Sequence, residues 1–314
     1  MIKNKRGMEF SFAWIFAIIV GAVILFGAIY ATTKLAGTER VVSGTLVSAE
    51  LNNLLNPIET NLEDSKYVQV EFAEETRVYN DCDVRGTFGK QGISTSAKIG
   101  EDKWGEQSAK KSNFNKYLFS DETEDGQKLN VIIKPLEMPY KIGDLIFAYS
   151  ESYCFVNSPS DIEEEIMDLS ADGENDIDIE LKENLNECPA DSIAVCFNQI
   201  GCDINVNLQN DVAVKNGEEL YYDGNLIYGA IFADKEIYEC QIKRLAKRSS
   251  ELAYVYAEKS EKLRSEGCSV SLDSDLRSFA GIIVNDSREF AARFVPAAED
   301  IGRKNELISK CKIF

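Results

Sequence analysis

The sequence predicts an α+β protein that stands outside a membrane on an N-terminal helix and is stapled by disulfides. Three observations carry this. Residues 10–33 hold 24 positions with no charge, eight cysteines all lie beyond that run, and the apolar pattern switches from strand period to helix period near residue 233. The divisions that follow are a basic flank (1–9), a transmembrane helix (10–34), a helical stalk (35–58), a strand-rich region (59–232, with a break near 159–175) and a helical C-terminal region (233–314).

A helix of 24 residues at 1.5 Å rise is about 36 Å long, enough to cross a hydrocarbon core of about 30 Å. Trp14 and Tyr30 lie near its two ends, where interfacial aromatics anchor such helices. Lys3, Lys5 and Arg6 precede the run, which puts the N-terminus in the cytoplasm and the bulk outside, at the cell surface. A cleaved secretory signal is the rival. Its apolar core is shorter and ends in a small-x-small site, which Thr32-Thr33-Lys34-Leu35 does not offer. Beyond the run, Val47, Leu51 and Leu54 recur at helical spacing and Pro57 closes the segment, so the span continues into a stalk.

The part after residue 34 holds 30 Lys and Arg against 52 Asp and Glu, a net charge of −22. That balance disfavours nucleic acid and anionic membrane surfaces as partners. The cysteines are Cys82, Cys154, Cys188, Cys196, Cys202, Cys240, Cys268 and Cys311. An even number in an exterior region predicts disulfides, with the pairing left open. Zinc is disfavoured, because the chain has no Cys-x-x-Cys and no histidine. Asn285-Asp286-Ser287 is a glycosylation acceptor on such a surface.

Strands are predicted where Val68, Val70 and Phe72 alternate with polar neighbours, and again at 176–181 and 203–208, with residues 92–99, 129–134, 145–149 and 153–156 as further strand candidates. Pro159-Ser160-Asp161 opens a helix with Ile162, Ile166 and Leu169 on one face. The dipeptide Asp223-Gly224 predicts a two-residue hairpin. Asp234 caps a helix that runs to Glu266 and stops at Gly267. On it, Tyr238, Ile242, Leu245, Leu252, Tyr256 and Leu263 make a bundle or coiled-coil stripe interrupted by Ser249 and Lys259. Cys240 and Cys268 stand about 42 Å apart along that helix, so each must pair elsewhere. A shorter helix is expected at 274–284. Asp286 and Glu289 form a capping box for a last helix, which Pro296 kinks or splits.

Chemistry is sparse. Without histidine there is no Ser-His-Asp or Cys-His pair, and there is no Gly-x-Ser-x-Gly. Gly86-Thr87-Phe88-Gly89-Lys90 lacks the length and the Ser/Thr of a phosphate loop. No catalytic residue and no resident cofactor are predicted. One calcium candidate stands out: Asp168, Ser170, Asp172, Gly173 and Asp176 match positions of a calcium loop, although Ile179 takes the place of its closing glutamate.

Lys5-Arg6-Gly7-Met8-Glu9-Phe10, running straight into the apolar helix, resembles the type IV prepilin signal of the pilin superfamily. The resemblance implies cleavage after Gly7, Met8 as the mature start, and a helix that packs with its copies in a filament. The stretch at residues 10–26 is also similar to the opening of archaeal membrane-anchored surface proteins. The expected role is therefore structural: a single-pass, pilin-like or cell-surface assembly subunit that works by protein–protein contact or self-assembly. A monomeric anchored binding module is the alternative, and an anchored carboxylate-dependent hydrolase the third.

Overall fold

The computed structural model describes residues 16–32, 66–101, 103–171 and 176–314. The basic flank, Gly7 and Met8, the stalk segment, and Asp172 and Gly173 of the calcium candidate lie outside the described residues. Residues 16–32 form helix α1, and every one of them is exposed. Its described length is about 26 Å at 1.5 Å per residue. Among the described residues no helix is both long enough and apolar enough to cross a membrane.

Two mixed sheets and a helical layer follow. The first sheet contains β1 (Lys66–Asp83), β2 (Lys90–Gly100), β3 (Lys103–Trp104), β4 (Lys111–Asn113), β5 (Tyr117–Phe119), β6 (Thr123–Glu137) and β7 (Lys141–Tyr149). Its order is β3-β2-β1-β6-β7-β5, with β4 beside β2, and only β5 runs parallel to its neighbour, β7. Alternation decides which face each side chain takes. Leu129, Val131 and Ile133 of β6 join Val70 and Ile146 in one cluster, while Ile132, Phe147 and Tyr149 point into the main core. The second sheet runs β13-β12-β11-β10-β8-β9. Its parallel half is β8 (Tyr153–Val156), β9 (Ile179–Lys182), β10 (Ile193–Phe197) and β11 (Ile204–Asn207). Helix α2 (Ser160–Ala171) and a 3-10 turn at Leu185–Glu187 connect these strands. A meander of β12 (Val212–Lys215) and β13 (Glu218–Tyr221) completes it.

The helical layer is α3 (Leu226–Phe232), α4 (Lys235–Ser265), α5 (Asp273–Ala280), α6 (Ser287–Glu289), a π turn at Phe290–Phe294, and α7 (Val295–Glu306). One core runs through all three parts, from Tyr117 and Phe147 through Phe155 and Phe197 to Tyr238, Phe279 and Ile313. Phe232 sits at its centre, stacked on Tyr149 at 4.5 Å and edge-on to Tyr153 at 4.9 Å.

All eight cysteines pair: Cys82–Cys240, Cys154–Cys188, Cys196–Cys202 and Cys268–Cys311. Cys240 and Cys268 do reach different partners, as the length of α4 requires. Their bonds tie β1 to α4 across 158 residues, and the C-terminal tail to the end of α4.

Several local expectations are corrected. Asp223-Gly224 does not turn a hairpin but leads into α3. The hairpin turn is Asn216-Gly217, between β12 and β13, with both residues left-handed at φ 54° and 78°. Asp234 occupies the N-cap of α4, yet its carboxylate caps nothing there. It accepts instead from Glu122 N, in the connection between β5 and β6, at 2.8 Å, so a tertiary contact takes the oxygen that would cap the helix. The helix expected to reach residue 284 stops at Ala280, and the β-branched trio Ile282-Ile283-Val284 continues outside any helix or strand. Asp286 accepts from Glu289 N, but Glu289 returns the bond to Asn285 N, one residue early for a capping box. Pro296 stands in the first turn of α7, directly after the π turn. The α4 stripe is turned inward: Tyr238, Ile242 and Leu245 are buried and Leu252, Tyr256 and Leu263 pack against the core, so it is not a free assembly face.

Candidate functional site

Helix α4 carries two pairs of cations one turn apart, Lys243-Arg244 and Lys247-Arg248. Residues four apart share a helix face, so these pairs form two adjoining columns. The β1–β2 turn, residues 84–89, meets them with carbonyl oxygens. Lys247 Nζ donates to Val84 O at 2.6 Å and Gly86 O at 3.1 Å, and Arg244 Nε donates to Phe88 O at 3.2 Å. A phosphate loop turns N–H groups toward its ligand; here the turn aims oxygens at cations.

Arg244 is fully buried. Its remaining donors reach Lys116 O at 2.7 Å, Gln241 Oε1 at 2.7 Å and Phe114 O at 3.1 Å, and the guanidinium lies 4.9 Å from the Tyr117 ring centroid. Burial among neutral partners lowers its pKa to about 10, which leaves it charged at neutral pH. Gln241 donates to Leu118 O at 2.9 Å and bonds Gln91, which bonds Asn80 in turn. Gly89 makes this closure possible. It has φ +59°, and a Cβ there would stand 2.4 Å from Asp83 O and 2.9 Å from Arg244 Cγ. The turn is thus fixed against α4 from beneath.

Above it lies a groove of about 400 Å³. Ala246, Ser250 and Tyr254 of α4 form one wall, Ala280 and residues 282–284 the other, with Lys243, Lys247 and Glu251 as its charged groups. Ile283 is 72% exposed and Tyr254 40%. No hydrogen bond to another described residue involves the backbone of Ile283 or Val284. The groove therefore combines apolar walls, two lysines and a stretch of backbone that is unpaired among the described residues.

A second cluster lies where the two sheets meet the start of α4. Glu124 is buried and accepts from Asp121 N at 3.1 Å, Ser150 N at 2.9 Å and Ser150 Oγ at 2.6 Å. Burial, with the Asp121 charge adding to it, pushes the Glu124 carboxyl up to about 8. Asp121 is itself raised by burial, held down in part by Lys215 at 2.9 Å and pushed up by Asp234. This cluster has the character of a structural junction: each carboxylate is engaged by groups of the chain itself.

The residues singled out from sequence do not converge. Asp168 and Ser170 stand in α2, where positions two apart point away from each other. The Ser170 hydroxyl donates to Ile166 O and Met167 O at 2.9 Å, and Asp176 accepts from Asp178 N at 3.4 Å. Among the described residues no group of three Cys, Asp or Glu side chains is arranged to hold a metal ion. Asn285 is exposed, with its amide on Glu289 Oε2 at 2.9 Å. Ser287 of the same acceptor is buried, its N and Oγ held by the Glu239 carboxylate at 2.7 and 2.6 Å. The cation pairs on α4 and the Ile-Ile-Val trio were visible signals for the groove. Neither matches a catalytic or ligand motif, so only their juxtaposition makes a site. A comparison with known protein families, curated proteins and solved structures finds no match to this chain.

Proposed function

We propose that this chain is a membrane-tethered extracytoplasmic interaction protein, held through residues 10–33 with its N-terminus in the cytoplasm. The observation that carries the reading is α1. Its apolar side chains are exposed all round the helix, with Val23 at 67% and Phe26 at 76%. A helix apolar on every face requires a surrounding of lipid or protein. Pairing of all eight cysteines fits an oxidising compartment, and Lys3, Lys5 and Arg6 favour an inside N-terminus. The groove beside α4 supplies a surface for a partner. The Lys5–Phe10 stretch favours a pilin-like variant of this function, in which processing at Gly7 frees the helix for assembly.

The test is the N-terminal peptide mass of protein recovered from native membranes after an alkaline carbonate wash. Retention with Met1 or Ile2 as the start is the result expected of a permanent tether, and a start at Met8 is that expected of the pilin-like variant. Release by the wash, or a start beyond Ala31, overturns the tether.

A further inference from the structure

We infer that the groove between α4 and residues 282–284 binds an extended aliphatic segment of a partner protein that carries carboxylates. The inference rests on the reading of this chain as an interaction protein and names the partner's chemistry. Three features point the same way. First, the backbone of Ile283 and Val284 lies outside any helix or strand and makes no hydrogen bond among the described residues, so its donors and acceptors can be taken up by the main chain of an extended peptide laid beside it. Second, Ala246, Tyr254, Ala280, Ile282 and Val284 line the groove with apolar surface, and its volume of about 400 Å³ lies within the range of ligand pockets. Third, the groove's charges are Lys243 and Lys247 against Glu251, in a chain whose net charge is −19. With two lysines against one glutamate, the groove favours an acidic segment over a basic one, so charge selects the sign of the guest.

The host is also preorganised. Lys247 is held by two carbonyls of the 84–89 turn, and that turn is locked by Arg244 beneath it. Little side-chain freedom remains to be lost at Lys247 when a segment binds.

The probe is a fluorescein-labelled, N-acetylated hexapeptide alternating Glu and Val, followed by anisotropy with the full chain in phosphatidylcholine nanodiscs. Saturable binding is expected, with no binding of the matching Lys-Val peptide. Lys243→Glu and Ile283→Asp are each expected to weaken it about tenfold. Neither residue contributes to the Arg244 network, so unchanged melting of these variants shows that the fold is intact. N-methylation of alternate peptide nitrogens is expected to abolish binding. Absence of saturable binding, equal binding of the Lys-Val peptide, or indifference to both substitutions overturns the inference. The carbonate wash reports on the tether alone, so either reading can fail without the other.

Discussion

Residues 157–211 hold fifteen Asp and Glu against one lysine, whereas residues 235–314 hold thirteen against fifteen Lys and Arg. The two regions are built accordingly. The acidic one has four-residue strands such as β9 and β11, and its lone lysine, Lys182, pairs with Glu180 at 2.9 Å. Cys196–Cys202 closes a loop within it, across 6 residues, and Cys188 ties it to Cys154 of the adjoining β8, across 34. Asparagines tie its loops: Leu208 N donates to Asn198 Oδ1 at 2.9 Å and Cys202 N to Asn205 Oδ1 at 3.2 Å. The near-neutral region instead has a 31-residue helix, ion pairs such as Arg264–Asp273 at 2.6 Å, and a buried arginine that grips another layer. The contrast teaches that a segment of one charge sign cannot rely on ion pairs of its own. It uses covalent closure and neutral side chain–backbone bonds, which like charges do not weaken.

The sharpest way to break this comparison is to remove disulfides in pairs. Loop-closure entropy grows with the logarithm of the enclosed length, so Cys82→Ser with Cys240→Ser is expected to cost about 5 kcal/mol and Cys196→Ser with Cys202→Ser about 2 kcal/mol. Guanidinium titration reads both. Equal losses would show that native-state strain, not chain entropy, sets their worth.

Arg244→Met comes next, at about 3 kcal/mol by the same titration. It leaves the carbonyls of Phe88, Lys116 and Phe114 without the donor they face inside the fold. A loss under about 1 kcal/mol would mean that water or a shifted turn replaces the guanidinium.

The smallest effect depends on pH. The carboxyl of Glu124 is raised in the folded state to about 8, so its contribution to stability is fully present below the ordinary carboxylate range and is lost as pH rises through 8. Wild-type protein should lose on the order of 2 kcal/mol more stability between pH 6 and pH 9 than Glu124→Gln does. Parallel melting curves for the two proteins across that interval would remove Glu124 as the titrating group.

Much of the body was legible from periodicity. Alternation located the start of β1, the apolar candidates at 129–134, 145–149 and 153–156 fell on β6, β7 and β8, and the 3.6-residue stripe with Gly267 located α4 to within two residues at each end. Failures came where two local signals compete. Asp223-Gly224 and Asn216-Gly217 carry the same hairpin chemistry, and only the second has a strand on both sides to pair. The candidate groove was not legible as a site, because its walls come from α4, the β1–β2 turn and residues 280–284, whose separate signals match no ligand motif until the fold brings them together.

By itself the sequence determined the longer strands and helix α4, the charge balance and the limit that Cys240 and Cys268 must find different partners. These depend on residues within a few turns of one another and on fixed helix geometry. Only the tertiary structure decided that Cys82 meets Cys240 across 158 residues, that Arg244 reaches Lys116 across 128, and that the stripe on α4 faces inward. Those outcomes follow from which apolar faces close on which, and burial is non-directional, so no local pattern specifies them.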